Sequence, residues 1–148
     1  MYRFRGLSVL LLSIVWSVAA CAHHLAVVVP KDNPSGSVTS AELEKIMKSE
    51  MKKWPNGNNV VVVITKNSAM SMQVLGRLCN MSAGATKALI AAHPNSFILA
   101  DSDAALLKIV EVTPGALGLV DVHAIQGTQI HVLKVDGKLP MEKNYLPH

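Results

Sequence analysis

Apolar residues fall into two rhythms along this chain: short continuous runs bounded by turn residues, and stretches in which they recur three or four apart. The first kind predicts strands buried on both faces, the second helices with one apolar side. Leu25–Val29, closed by Pro30, reads as a buried strand, and residues 31–38 carry turn chemistry. Thr39 followed three residues on by Glu42 is a capping box. It opens a helix that places Leu43, Ile46, Met47 and Met51 on one face and is expected to run to Trp54, before Pro55-Asn56-Gly57.

Residues 59–65 hold the strongest β run, VVVVI, and predict an interior strand. A helix opening at Ser68 would bury Val74, Leu75 and Leu78. A second helical piece, Ala83–His93, stops at Pro94, and Phe97–Leu99 is a short extended segment. Asp101 or Ser102 caps a helix carrying Leu106, Leu107 and Val110, which Thr113-Pro114-Gly115 breaks. Ala116–Asp121 is another strand, in which Gly118 marks a close backbone approach. A last strand, Gln129–Val135, turns at Asp136-Gly137, and residues 138–148 show little apolar pattern. Strands alternating with helices predict an α/β domain whose mostly parallel sheet of about four to five strands is flanked by helices.

The beginning of the chain has a different character. Arg3 and Arg5 precede Gly6–Ala20, fifteen residues without a charge. A basic start, an apolar run and small residues at its end make a secretory signal peptide, and the run is short for a membrane span of roughly 20 residues. Residues 1–22 are therefore expected to be removed, leaving 23–148 as one exported domain in the periplasm or an equivalent space. Two cleavage patterns overlap. Ala20-Cys21-Ala22 is an A-x-A site, whereas Val18-Ala19-Ala20-Cys21 is similar to a bacterial lipobox, with Cys21 as the lipidated residue and the only membrane attachment. Soluble release is favoured, since only Ala22, His23 and His24 would tether Leu25.

Losing residues 1–22 lowers the formal charge from +4 to +2 and leaves Arg77 as the sole arginine. Dispersed lysines and three remaining aromatics, Trp54, Phe97 and Tyr145, argue against nucleic-acid binding. Cys79 would be the only cysteine after cleavage at Ala22. It sits in an apolar helical stretch and reads as a buried small hydrophobe; a cut before Cys21 would allow a Cys21–Cys79 bridge. The histidines have no metal-ligand spacing, so neither a metal nor a cofactor is expected. No nucleophile elbow or phosphate-binding loop motif occurs, and Asp101 and Asp103 read as helix-start charges, so no enzyme is expected.

Four blocks carry a resemblance to a known family. They are Asn33-Pro34 with Val38-Thr39-Ser40-Ala41-Glu42-Leu43, VVVVITKNSAMSMQVL, Val110–Val120 with its P-G-A-L-G, and Val132–Gly137 with Pro140. Over residues 25–140 the chain resembles the phosphate-binding-protein family of ABC transporters, which have type II periplasmic-binding folds of two lobes around a cleft. The resemblance implies a single lobe of that fold, with the other half of the cleft absent unless another chain supplies it. It also implies that this strand, loop and helix carry an anion-contacting serine, which makes Lys66, Asn67, Ser68 and Ser71 the candidate contacts. The family commonly reads S-G-T there; Ala69 in place of Gly restricts the approach of backbone N–H groups to an oxyanion, so weak binding is expected.

A helix start suits phosphate because its first N–H groups lack partners and carry the positive end of the dipole. Thr39 and Ser40 open a second helix that could face the same cleft. Each residue also has an ordinary explanation: Ser68 and Thr39 as caps, Ser71 as solvated, Lys66 as a strand end. Arg77 lies too far along its helix to reach an anion at Ser68. The resemblance implies an extracytoplasmic phosphate-type binding component of transport or sensing, with an ABC permease, a second lobe-bearing chain or another copy as partner. The alternative is an envelope interaction module that kept the lobe and lost its ligand.

Overall fold

The computed structural model of the protein describes residues 24–147. The export segment, the lipobox with Cys21, and His23 lie outside the described residues. The elements run β1 (Leu25–Pro30), β2 (Ser37–Val38), α1 (Ser40–Met47), β3 (Val61–Thr65), α2 (Ala69–Leu78), α3 (Ala83–Ala92), β4 (Phe97–Ala100), α4 (Asp103–Val112), β5 (Ala116–Asp121), a 3-10 turn (Val122–Ile125), β6 (Ile130–Val132) and β7 (Lys134–Val135).

The main sheet has the order β4-β3-β5-β1-β6. Strands β4, β3 and β5 pair in parallel, while β1 pairs antiparallel with both β5 and β6. Four of its five strands therefore point one way and β1 alone is reversed. This is the mostly parallel α/β lobe expected from the sequence.

The interior strands β1, β3 and β5 are buried on both faces, which is why they read as continuous apolar runs. Side chains alternate between the faces. Val27, Val29, Val62, Ile64, Leu117 and Leu119 pack with Leu43, Ile46, Met47, Val74 and Leu75 of α1 and α2. Ala26, Val28, Val63, Ala116 and Val120 pack with Leu106, Leu107 and Val110 of α4 on the other face. The close approach read at Gly118 is there: a Cβ at this position would lie 2.7 Å from Leu106 Cδ2 and 3.1 Å from Val110 Cγ2. Each helix starts on a hydroxyl cap, at Thr39, Ser68, Ser82 and Ser102, which settles the choice between Asp101 and Ser102.

Three expectations need correction. Helix α1 ends at Met47, not near Trp54, because Ser49 takes a left-handed backbone (φ 59°) and Glu50 and Met51 fold their amides back onto Lys45 O. Trp54 is instead a buried anchor after the helix, its indole donating to Gly115 O at 2.9 Å. The last strand breaks at Leu133: β6 lies on β1, whereas β7 leaves the main sheet to pair in parallel with β2. The tail, which has little apolar pattern, nevertheless puts Tyr145 and Leu146 into the core.

Gly115 closes the turn between α4 and β5. Its carbonyl accepts from both Trp54 Nε1 and Val61 N, and its φ of +77° is costly for other residues. A Cβ there would meet the backbone oxygen of Asn59 at 2.0 Å, and a main chain cannot swing aside as a side chain can. Gly115→Ala is expected to cost about 3 kcal/mol or more. Gly118→Ala, which crowds flexible side chains, should cost about 1–2 kcal/mol. Urea unfolding of the two variants tests the ranking; equal midpoints would refute it.

Candidate functional site

Because β3, β4 and β5 are parallel, their carboxyl ends share one edge of the sheet, and the helices that follow β3 and β4 start there. The reversed β1 begins at the same edge, with Leu25 opposite Asp121. In open α/β sheets ligands bind outside this edge. Here it gathers Lys66, Asn67 and Ser68 after β3, Asp101, Ser102 and Asp103 after β4, and Asp121 at the end of β5.

The start of α2 is capped by Ser68, whose Oγ accepts from Ser71 N at 3.1 Å. The Ser68 amide is bound to Thr65 O. The N–H groups of Ala69 and Met70 have no acceptor among the described residues, and no acid lies in the first turn. This leaves the positive end of the α2 dipole uncompensated. Ser71, though, is 1% exposed; its side chain faces the interior rather than solvent, so it does not join Ser68 at the surface. Asn67 is exposed in the turn between β3 and α2.

Lys66, the cation of this loop, is ion-paired with Asp101. That contact holds the Asp101 carboxyl below its usual range, first through the hydrogen bond and then through the charge of Lys66. Nearby, Thr65 Oγ1 donates to Asp103 Oδ1 at 2.7 Å, tying the end of β3 to the first turn of α4. Asp121 accepts from the His123 amide at 2.8 Å and lies 2.9 Å from His123 Nδ1. The edge thus carries more carboxylate than ammonium, and its one loop lysine is already paired. Asp101 and Asp103 could be read from the sequence as helix-start charges, but the pairing of Asp101 with Lys66 depends on strand order.

Thr39 and Ser40 belong to a different arrangement. Thr39 Oγ1 accepts from Glu42 N at 3.1 Å, and Thr39 N donates to Glu42 Oε2 at 2.8 Å. Ser40 gives its amide to Asp136 Oδ1 at 2.9 Å and its hydroxyl to Asp136 Oδ2. Two of the protein's own carboxylates therefore occupy the start of α1. Both are held below their usual range, Glu42 by the Thr39 amide and hydroxyl, Asp136 by the Ser40 hydroxyl and amide. Sequence reasoning found the capping box and missed Asp136, which comes from 96 positions away and has no local signal.

Ser40 also lines a cleft of about 520 Å³ with Glu44, Arg77, Leu78 and the tail residues 144–147. Arg77, in the last turn of α2, is thus remote from Ser68 as its helical position required, but it borders the cleft at the other helix start. Cys79 is buried, and desolvation pushes its thiol up to about 11, in keeping with its reading as a small hydrophobe. Among the described residues no group of three or more His, Cys, Asp or Glu could hold a metal ion, and no helix is long and apolar enough to cross a membrane.

A family model described as a PBP superfamily domain matches residues 14–144. Solved structures with the same fold include an ABC-type phosphate transport receptor from Vibrio cholerae, 15% identical with a TM-score of 0.63. Others are a phosphate binding protein from Stenotrophomonas maltophilia (17%, 0.65) and PstS from Borrelia burgdorferi (14%, 0.61). Each alignment covers 80% of this chain, but only 48%, 40% and 49% of those chains respectively. The chain thus spans about half the length of these structures or less. No curated protein gives a significant sequence match.

Asp136→Asn tests how far charge holds the start of α1, since asparagine also tolerates the left-handed backbone at this position (φ 51°). The lowered carboxyl means that the ionised form favours the folded state. Its contribution is complete above the ordinary aspartate pKa and is lost as pH falls through the lower folded-state value. The wild type should be more stable than the variant at neutral pH, with the difference vanishing in strong acid. Denaturant midpoints at both pH values check this, and a difference unchanged by acid would exclude charge as the cause.

Proposed function

The chain belongs to the PBP superfamily, and on that premise we propose that it is an extracytoplasmic binding protein for an inorganic oxyanion, phosphate first. One observation carries the reading: at the carboxyl edge of the sheet, α2 begins with two unpartnered N–H groups and no acid. Ser68 and Asn67 would offer polar groups beside these donors, with Lys66 as the cation. Thr39 and Ser40 contribute nothing while Glu42 and Asp136 hold them, and Ser71 supports the turn from within.

Binding at this site is weak. Asp101 competes with the ligand for Lys66, and among the described residues no guanidinium is within reach to make a bidentate contact. Residues 1–22 direct export, and the service is to transport or sensing beside an ABC permease. Among the described residues no catalytic set is gathered, and the protein is taken to act by binding. It needs no cofactor.

A second reading is supported by a different feature. An apolar groove of about 510 Å³ is lined by Val122, Ile125, Val132, Leu139, Pro140 and Met141. Leu139 is 47% and Met141 63% exposed. A lobe that has become an envelope interaction module would use such a surface against a second chain or another copy. Light scattering separates the two: a monomer that binds anion contradicts the second reading.

Isothermal titration with phosphate and with sulfate tests the first. The wild type should bind at millimolar ligand, and Ser68→Ala should weaken binding by at least about tenfold, the worth of a lost hydrogen bond to a charged group. Asp101→Asn, which frees Lys66, should strengthen it about two- to fivefold, the size of an exposed ion pair. No heat from wild type or Asp101→Asn at millimolar ligand would remove the oxyanion function.

A further inference from the structure

We propose that the C-terminal tail is a releasable strap: Tyr145 holds β7 off the main sheet, and its withdrawal lets β6 extend along β1 and uncovers the start of α1.

Strand register is the first observation. Val28 lies opposite Val132 in the antiparallel β1–β6 pair, so Val27 faces Leu133. Residues facing each other at such a position exchange two N–H···O bonds. Only one is made. Leu133 N donates to Val27 O at 2.9 Å. In place of the return bond, Val27 N donates to the Tyr145 hydroxyl at 3.1 Å, and that hydroxyl donates to Leu133 O at 2.7 Å. The phenol therefore satisfies both backbone groups while standing between them. It is 3% exposed, and burial pushes its pKa up to about 12, so it stays a neutral donor.

The strand departs immediately beyond this wedge. Lys134 N bonds to Gly36 O at 3.2 Å and Asp136 N to Val38 O at 3.0 Å, which forms the β2–β7 pair. Asp136 then reaches Ser40. This pair is only two residues long on each side, and so short a ribbon has little stability of its own.

Withdrawing the hydroxyl leaves Val27 N–H and Leu133 C=O buried without partners, a costly state. The nearest remedy is for the two groups to bond directly, completing the exchange. That closure draws Lys134 and Val135 toward β1 and away from Ser37 and Val38. Asp136 leaves Ser40 with them. Tail residues 144–147 also form one wall of the cleft that Ser40 and Arg77 line, so release opens the cleft and frees its donors together.

Amide hydrogen exchange followed by NMR on the full chain, wild type against Tyr145→Phe, reads both arrangements. Lys134, Asp136 and Ser40 amides should exchange at least tenfold faster in the variant. The Val27 amide should stay protected by its new partner, and Val62 and Leu119 should change less than twofold. Wild-type protection at Lys134 and Asp136 would overturn the strap. So would loss of protection at Val27 alongside them, because that is general loosening. A chain ending at Lys143 should repeat the pattern, and unaltered Lys134 and Asp136 in it would equally overturn the proposal.

Discussion

A sheet that is apolar on both faces has to be covered twice, and this chain has short helices with which to do it. Helix α4 covers one face largely alone, which is feasible because Gly118 lets Leu106 and Val110 approach the backbone of β5. The other face takes α1 and α2, and these leave gaps. Trp54, Tyr145 and Leu146 fill them from segments outside the regular elements. Burying aromatic rings there requires partners for their polar ends. The indole finds Gly115 O, and the phenol finds Val27 and Leu133. All three of those partners are backbone groups, so coverage of the sheet and the path of the main chain become one problem.

The same sheet decides which helix starts are open. Parallel β3, β4 and β5 bring the starts of α2 and α4 to one edge, where unpartnered N–H groups and dipoles concentrate positive potential. The protein answers that potential unevenly. Helix α4 has Asp103 in its first turn, and α1 has Glu42 together with Asp136. Helix α2 has only a serine cap. Helix α3 also starts on a serine with no acid in its first turn, so it is the open start of α2 together with its place at the carboxyl edge of the sheet that makes a hydroxyl-capped helix a candidate for ligand duty.

Much of the fold was legible because local rules and tertiary demands agree. The VVVVI run, the Ser68 cap, the Pro114-Gly115 break and Gly118 each state locally what the structure needs. Where they disagree, reading failed. Ser49 ends α1 in a left-handed conformation without the glycine that would announce it. Leu133 continues the β pattern of its neighbours, and the strand leaves where a tyrosine twelve positions later takes its carbonyl and β2 pairs with the residues that follow. Tyr145 stands among charged and polar residues, where a single aromatic gives no period. At the site, Ser68 and Lys66 were readable as types at a strand–helix junction. The carboxylates of Asp101 and Asp136 that change what Lys66 and Ser40 can do arrive through strand order and through a turn 96 positions away.

How strongly the edge can hold an anion follows from dielectric as much as from donors. A charge contact exposed to water keeps about a quarter of its strength at the effective dielectric near a protein surface, and far less than in a dry cleft. Among the described residues an anion at the start of α2 would be covered from one side only, and the chain spans about half the length of its structural neighbours or less. Water would keep the other side and screen Lys66, which already has a carboxylate for company. A second wall would change both terms: it would exclude that water, and it could add donors that Ser68, Ala69 and Met70 cannot supply. On the proposed reading, the affinity of this lobe would therefore be limited less by the chemistry of its loop than by what closes over it.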